Sequence, residues 1–349
     1  MTLLRLTDRG LYCEAGDFHV DPWAAVDRAV VTHAHGDHVA WGCGSYLCSA
    51  EGQGVLRDRL DRDARVRGLP YGERIDVNGV RVSLHPAGHI LGSAQVRLEH
   101  GGDVWVVSGD YKTDPDPTCT AFEPVRCGTF VTESTFGLPI YRWPPQAEVL
   151  EDINVWWRAN RAAGRATLLF GYALGKAQRL LAGLDPGIGP ILTHGAVERL
   201  NARYREAGIS LPATTYAGTV DRKADFSSAI VVAPPSADGS VWTRRFGPHA
   251  TGFASGWMLV RGARRRRSLD RGFPLSDHVD WPRLLGAIAA TGAERVWVTH
   301  GFTGPVVRWL REHGLDAVAV ETRFEGERDD EEHEGAPTNT STPNSSYAE

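Results

Sequence analysis

Val30-Val31-Thr32-His33-Ala34-His35-Gly36-Asp37-His38 is the stretch from which the rest of this chain is read. The apolar run Ala29-Val30-Val31 has the pattern of a buried strand. It stops at Thr32 and delivers His33, His35, Asp37 and His38 within six positions. As mere packing, three imidazoles and a carboxylate would each need desolvation and a hydrogen-bond partner, and a core supplies few of those. Imidazole nitrogen and carboxylate oxygen are instead the donors that zinc or manganese takes. The stretch predicts a metal loop at the end of a strand.

The same arrangement recurs downstream. Residues 75–84 alternate like a hairpin around Asn78-Gly79, and Pro86 to Ser93 then places His89 between Gly88 and Gly92. A second hairpin turns at Gly101-Gly102, and its outgoing strand Val104–Val107 runs into Ser108-Gly109-Asp110. Thr129-Phe130-Val131 leads to Glu133, and Arg295–Thr299 ends in His300-Gly301. Apolar strands thus repeatedly end in a ligand-type side chain, and this shared placement promotes His89 and Asp110 from ordinary loop and turn residues to candidates. Asp21, before Pro22, closes another apolar alternation and is read as the orienter of a metal-bound histidine.

Residues 50–68 read as a charged helix, 147–163 as an amphipathic helix, 166–172 as a buried strand and 176–184 as a helix. Strand, helix and strand follow over 190–233, a helix to residue 290, a helix over 304–313 and a strand over 316–320. Pro139, Pro144 and Pro145 mark a boundary. Gly171-Tyr172-Ala173-Leu174-Gly175-Lys176-Ala177 is one residue short of a P-loop and has Ala where the magnesium-binding hydroxyl belongs, so ATP binding is rejected. His19, His85, His100, His194, His249, His313 and His333 are read as structural.

With 349 residues and 42% hydrophobic content the chain can bury a sizeable core. The charged residues of the opening and the lack of a run near 20 apolar residues point away from a signal peptide or a membrane span. Five cysteines without C-x-x-C spacing read as free thiols, so the expected setting is the cytoplasm. The net charge of −5 hides a division: residues 321–349 hold nine acids and two arginines, a net of −7, so residues 1–320 carry +2. The tail is expected to be disordered. The positive charge is concentrated where Arg261, Arg264, Arg265, Arg266, Arg267 and Arg271 fall within eleven residues.

His33-Ala34-His35-Gly36-Asp37-His38, then His89 and Asp110, resembles the metallo-β-lactamase superfamily. Glu133 in Thr-Glu-Ser-Thr-Phe-Gly, His278 in Leu-Ser-Asp-His and His300 in Val-Thr-His-Gly look like three motifs of its β-CASP nucleic-acid nucleases. The opening Gly10–Trp23 and the arginine stretch 261–273 look like the bacterial ligase-associated DNA exonucleases of that group. The resemblance implies an α/β fold, a metallo-β-lactamase αββα sandwich with an inserted small α/β β-CASP domain. It divides the chain into a first part of the sandwich (1–137), the insertion (138–268), a C-terminal part of the sandwich (269–322) and the acidic tail (323–349). The insertion is short for a β-CASP domain.

It further implies two divalent ions, Zn²⁺ or Mn²⁺. One would take His33, His35, His89 and Asp110, and the other Asp37, His38, Asp110 and His300. The expected activity is phosphodiester hydrolysis in nucleic acid, with a metal-activated hydroxide as nucleophile, Asp37 among the catalytic groups and His278 as general acid oriented by Glu133. Arg261 and Arg264–Arg267 would grip phosphates. DNA is the expected substrate, as an exonuclease in repair with a DNA ligase and helicase as possible partners. His300 is typical of RNA-cutting members, so RNA 3′-end processing is the alternative. A small-molecule hydrolase of the thioesterase or lactonase type is the remoter one, since it would need neither the insertion nor the arginines.

Overall fold

The computed structural model describes residues 2–260 and 269–322. The chain is mixed α/β, with three sheets among the described residues. The first is built in chain order from β1 (Arg5–Thr7), β2 (Gly10–Cys13), β3 (Phe18–Val20), β4 (Arg28–Val30), β5 (Ser45–Ser49) and β6 (Val66–Leu69). The next strands are β7 (Arg74–Val77), β8 (Val80–Pro86), β9 (Ala94–His100), β10 (Asp103–Val107) and β11 (Thr129–Glu133). A third sheet contains β12 (Ala166–Phe170), β13 (Ile191–Thr193), β14 (Thr215–Tyr216), β15 (Ile230–Ala233), β16 (His249–Ala254) and β17 (Arg271–Phe273), in the order β14-β13-β15-β12-β16-β17. Finally β18 (Arg295–Thr299) and β19 (Asp316–Ala319) return to complete the second sheet, β19-β18-β11-β10-β9-β8-β7.

The first two sheets pack face to face. Val20, Val30 and Leu69 from one meet Val82, Leu84, Val96, Leu98, Trp105, Val107 and Val131 from the other in a single apolar layer. The helices α1 (Gln53–Arg59), α2 (Gln146–Ala162), α3 (Lys176–Gly183), α4 (Gly195–Glu206), α5 (Trp281–Thr291) and α6 (Thr303–Glu312) cover the remaining faces. Val106, Phe130, Val296 and Val298 point away from that layer onto Leu284 and Ile288 of α5 and Val306 and Leu310 of α6. The period-2 alternation of a strand thus serves two cores at once.

Another core runs from the outer face of the first sheet (Val31, Tyr46, Cys48), across Val55 and Leu56 of α1, to Trp157, Leu180, Leu200 and the near face of the third sheet. β15 alternates here as well, with Ile230 and Val232 in this core and Val231 and Ala233 in the one beyond. The third sheet is therefore welded to the first.

Both expected hairpins form. At Asn78-Gly79 φ is 52° and 83°, the left-handed pair that a two-residue turn between twisted strands requires. The expected helix over 50–68 is reduced to Gln53–Arg59. Asp61, Arg62 and Asp63 are exposed, and Val66 and Leu69 extend into β6 because the first sheet buries them. The five cysteines are buried and unbridged. Among the described residues no helix is long and apolar enough to cross a membrane. The arginine cluster 261–267 and the tail 323–349, including His333, lie outside the described residues.

Candidate metal centre

Parallel pairing brings the candidate residues to one edge. Val107 of β10 registers with Val131 of β11, and Glu133 of β11 with Thr299 of β18, so Asp110, Glu133 and His300 emerge together at the carboxyl ends of neighbouring strands. The loop after β4 comes from the facing sheet. It places His33 and His35, then Asp37 and His38 in a single 3-10 turn. His89 arrives from the β8–β9 connection and His278 from the segment before α5.

Each imidazole has one nitrogen tied back to the protein and the other facing the centre. His35 Nε2 lies 3.2 Å from the carbonyl of Leu174 and His89 Nδ1 2.9 Å from that of Asp277. His33 Nδ1 lies 3.1 Å from Thr32 Oγ1, His38 Nδ1 2.7 Å from Asp21 Oδ2, and His300 Nδ1 2.9 Å from Thr299 Oγ1. Asp21 also accepts from Thr32 N at 2.8 Å and from Thr32 Oγ1 at 2.6 Å, so one carboxylate holds both ends of the loop. Such outer partners are what orient a histidine for metal ligation.

The inward atoms form two sets. His33 Nε2 and His89 Nε2 each lie 3.1 Å from His35 Nδ1, while Asp110 Oδ2 is 3.5 Å from His33 Nε2 and 3.9 Å from His89 Nε2. Donors held tetrahedrally at zinc-ligand distances are roughly 3.3–3.7 Å apart, and these separations bracket that value. Asp37, His38 and His300 form the second set, with His38 Nε2 3.5 Å from both Asp37 Oδ2 and Asp110 Oδ2. Asp110 Oδ2 therefore faces both. His38 Nε2 is buried without a hydrogen-bond partner among the described residues, which suits a coordinating nitrogen.

Burial and neighbouring charges act differently on the two donor sets. Burial, reinforced by neighbouring histidines, pushes His33 and His89 well below the usual imidazole range, so they are neutral. Burial opposes charge on His38 too, but Asp37, Asp110 and Asp21 outweigh it and hold its pKa well above 6.5. Burial likewise opposes the Asp110 carboxylate, and His38 and His278 more than offset it. The His300 backbone is left-handed, with φ of 50°, a conformation that costs a β-carbon-bearing residue energy. Ser134 compensates by donating its hydroxyl to the carbonyls of Thr299 and His300.

Glu133 and His278 stand beside the sets, as an ion-pair partner and a ring rather than as an isolated turn. His278 Nδ1 is 2.9 Å from Glu133 Oε2 and 4.0 Å from Asp110 Oδ2. Glu133 Oε1 accepts from Tyr111 N at 2.8 Å. All nine residues named from sequence as metal or proton-transfer candidates are thus brought together.

No family model matches the chain. Over 317 residues it is 36% identical to a protein of Opitutus terrae named probable DNA ligase, covering 89% of this chain and 30% of that one. It is 32% identical over 123 residues to endoribonuclease YSH1 of Candida albicans, covering 35% of this chain and 14% of the relative. It is 29% identical over 194 residues to cleavage and polyadenylation specificity factor 73 of Drosophila melanogaster, covering 48% and 27%. These relatives support the resemblance of the chain to the β-CASP group of the metallo-β-lactamase superfamily. The chain spans less than a third of the length of each of these relatives. A protein of unknown function from Enterococcus faecalis shares its fold, with a TM-score of 0.56 at 13% identity over 86% of this chain and 80% of the other.

Sequence reasoning missed the groups that reach the site from the third sheet. Lys176 is fully buried, bonds to Asp277 and lies 3.3 Å from the carbonyl of Leu275, and Arg179 Nη2 donates to the carbonyl of His89 at 3.0 Å. The available signal was two cations on a short helix preceded by Gly175. His194, by contrast, is structural as read. Its Nδ1 accepts from Ala196 N at 3.2 Å at the start of α4, and its ring packs edge-on against Trp242.

Proposed function

We propose that this chain is a metal-dependent phosphodiesterase that cuts nucleic acid, with two divalent ions, Zn²⁺ or Mn²⁺, on the donor sets that share Asp110. The sharing carries the reading: one carboxylate oxygen lies 3.5 Å from a histidine nitrogen of each set, beside a histidine–glutamate pair that needs no metal of its own. A metal pair so held supplies Lewis acidity to a phosphodiester and lowers the pKa of water. The protein's own residues do the rest. Asp37 and His38 sit on the side of the attacking group. His278 donates a proton to the leaving oxygen, a service worth roughly 10²–10⁴-fold in rate. Glu133 accepts from Nδ1 and so holds the proton-carrying nitrogen toward the substrate.

In this reading the two facing sheets form a metallo-β-lactamase sandwich of residues 1–137 and 269–322, and residues 138–268 are the inserted β-CASP domain. DNA is favoured as substrate because the relative that aligns with most of the chain is named a probable DNA ligase. RNA is the second reading, favoured by the relatives named endoribonucleases. The test is purified protein with Mn²⁺ or Zn²⁺ on end-labelled single-stranded DNA, duplex DNA and RNA, beside Asp110→Ala and elemental analysis. Metal-dependent cleavage, about two ions per chain and loss of both in the variant are expected. Cleavage that survives loss of Asp110, or one ion per chain at saturation, overturns the shared site.

A further inference from the structure

Beside His300 lies a cavity of about 390 Å³. That volume falls in the lower part of the range of small-molecule sites, roughly 300–1,000 Å³. The His300 ring stacks on His38 at 5.4 Å between centroids, so the cavity begins one side chain from the second donor set. Trp257 and Phe302 line it, with ring centroids 6.3 Å apart and planes inclined at 60°. Trp257 is braced from behind by Phe136 at 4.8 Å and Tyr141 at 5.9 Å, and Phe302 lies parallel to Tyr141. These rings are set in place before anything binds.

Thr135 supplies a polar handle. It is 2% exposed and lines the cavity, and its hydroxyl has no hydrogen-bond partner among the described residues. A buried hydroxyl left unpaired is costly, and a ligand that bonds it removes the cost. The charge of the walls narrows the ligand further. Among the described lining residues there is no lysine or arginine, and there is one carboxylate, Glu321. A phosphate is disfavoured in such a space. A flat, neutral heteroaromatic ring with hydrogen-bonding edges fits it.

We propose that this cavity receives the nucleobase of a nucleotide flanking the scissile phosphate, stacked on Trp257 with Phe302 against its edge, and with the Thr135 hydroxyl bonded to a polar group of the base. The proposal rests on the nucleic-acid reading above. It gives the site a preference for strands whose base can leave a helix, because a paired and stacked base cannot enter.

The test combines single abasic substitutions at each position around the cleaved bond with Trp257→Ala and Trp257→Phe. A base–aromatic stack is worth roughly 5- to 150-fold in affinity. At one position the abasic strand should raise the wild-type KM within that range. Trp257→Ala should raise KM similarly on intact strands, and the two changes together should cost no more than either alone. Trp257→Phe should restore most of the loss. Thr135→Val, which removes only the hydroxyl, should flatten the preference among bases at that same position. A parallel measurement needs no turnover: strands carrying 2-aminopurine are titrated into Asp37→Asn, and the fluorophore should be quenched at that position and lose the quenching when Trp257 is also Ala. If cleavage proceeds but the two losses multiply at every position, or quenching is independent of Trp257, the cavity is not a base site, although the nuclease reading stands. If no strand is cleaved with either metal, the nuclease reading fails, and quenching that is absent at every position then removes the base site as well.

Discussion

At the scale of single residues, the informative pair is His278 and Glu133, because geometry alone allows either proton donation or simple positioning. His278 is 3% exposed and Glu133 1%, with both carboxylate oxygens within 3.1 Å of Nδ1. An alkoxide leaves poorly without a proton, whereas sulfur at the bridging position leaves as thiolate unaided. His278→Ala should therefore be slowed by roughly 10²–10⁴-fold on an ordinary strand and be close to wild type on one bridging-thio isomer. Glu133→Gln should show a smaller defect of the same kind, and His33→Ala should fail on both. Equal impairment of His278→Ala on oxygen and both sulfur substrates would assign it to holding substrate or metal. The donor residues were legible in the sequence because their chemistry lies in side chains and their spacing is local. The carbonyls of Leu174 and Asp277 that aim His35 and His89 were not, since every residue has a carbonyl and only the fold says which one arrives.

One element joins the metal centre to the third sheet: the turn Gly171–Gly175 with the first turn of α3. Gly175 has φ of +86°, and a β-carbon there would lie 2.1 Å from Ile90 Cγ2, so the turn is pressed against the loop that carries His89. Its N–H bonds Gln178 Oε1 at 2.8 Å. Behind it, Lys176 meets Asp277, whose own carbonyl holds His89. Burial opposes the Asp277 carboxylate, and Lys176 holds it well below the usual range. Removing one partner of a buried pair leaves a charge without compensation and costs about 3–5 kcal/mol, whereas removing both costs far less. Lys176→Met should lose stability of that order by denaturant titration, and Lys176→Met with Asp277→Asn should recover much of it. Metal affinity, read by chelator competition, should fall about 10–100-fold in the single variant, the usual cost of disturbing a ligand's support. Unchanged affinity would confine the pair to folding. The sequence shows this stretch as a failed P-loop. Its glycine and lysine have a use that only the packing reveals.

For the whole molecule, the relation between the third sheet and the rest was the least legible feature. Strand and helix patterns in 166–233 announce an α/β unit, yet apolar alternation cannot say against what each face packs. The two cores that share β15, and the continuity of one of them with Val31 and Tyr46 of the first sheet, are products of tertiary structure. Polar contacts reinforce that junction. Arg179 of α3 has its Nε 3.5 Å from Asp116 Oδ2, on the loop after β10, and Gln146 of α2 donates to the same oxygen at 2.7 Å.

Acid should test this junction. Burial opposes the Asp116 charge, but Arg179 and the hydrogen bonds from Thr118 and Gln146 outweigh it and hold its carboxyl below 3.8. A folded pKa lower than the unfolded one means that the native state binds the proton less readily. The stabilisation is therefore fully present above the unfolded value, about 3.9, and is lost as pH falls through the folded one. Comparing wild type with Asp116→Asn cancels the other titrating groups. Their stability difference, measured by denaturant titration at each pH, should be about 3–5 kcal/mol and constant above roughly pH 5. It should narrow steadily below about pH 4, as the unfolded wild-type chain takes up a proton at Asp116 that the native state still resists. A difference that stays constant down to pH 3 would show that the native Asp116 carboxyl takes up its proton as readily as the unfolded one, so that Arg179 and the hydrogen bonds do not hold it down. A difference that narrows already between pH 5 and 7 would show that the substitution also alters the titration of another group.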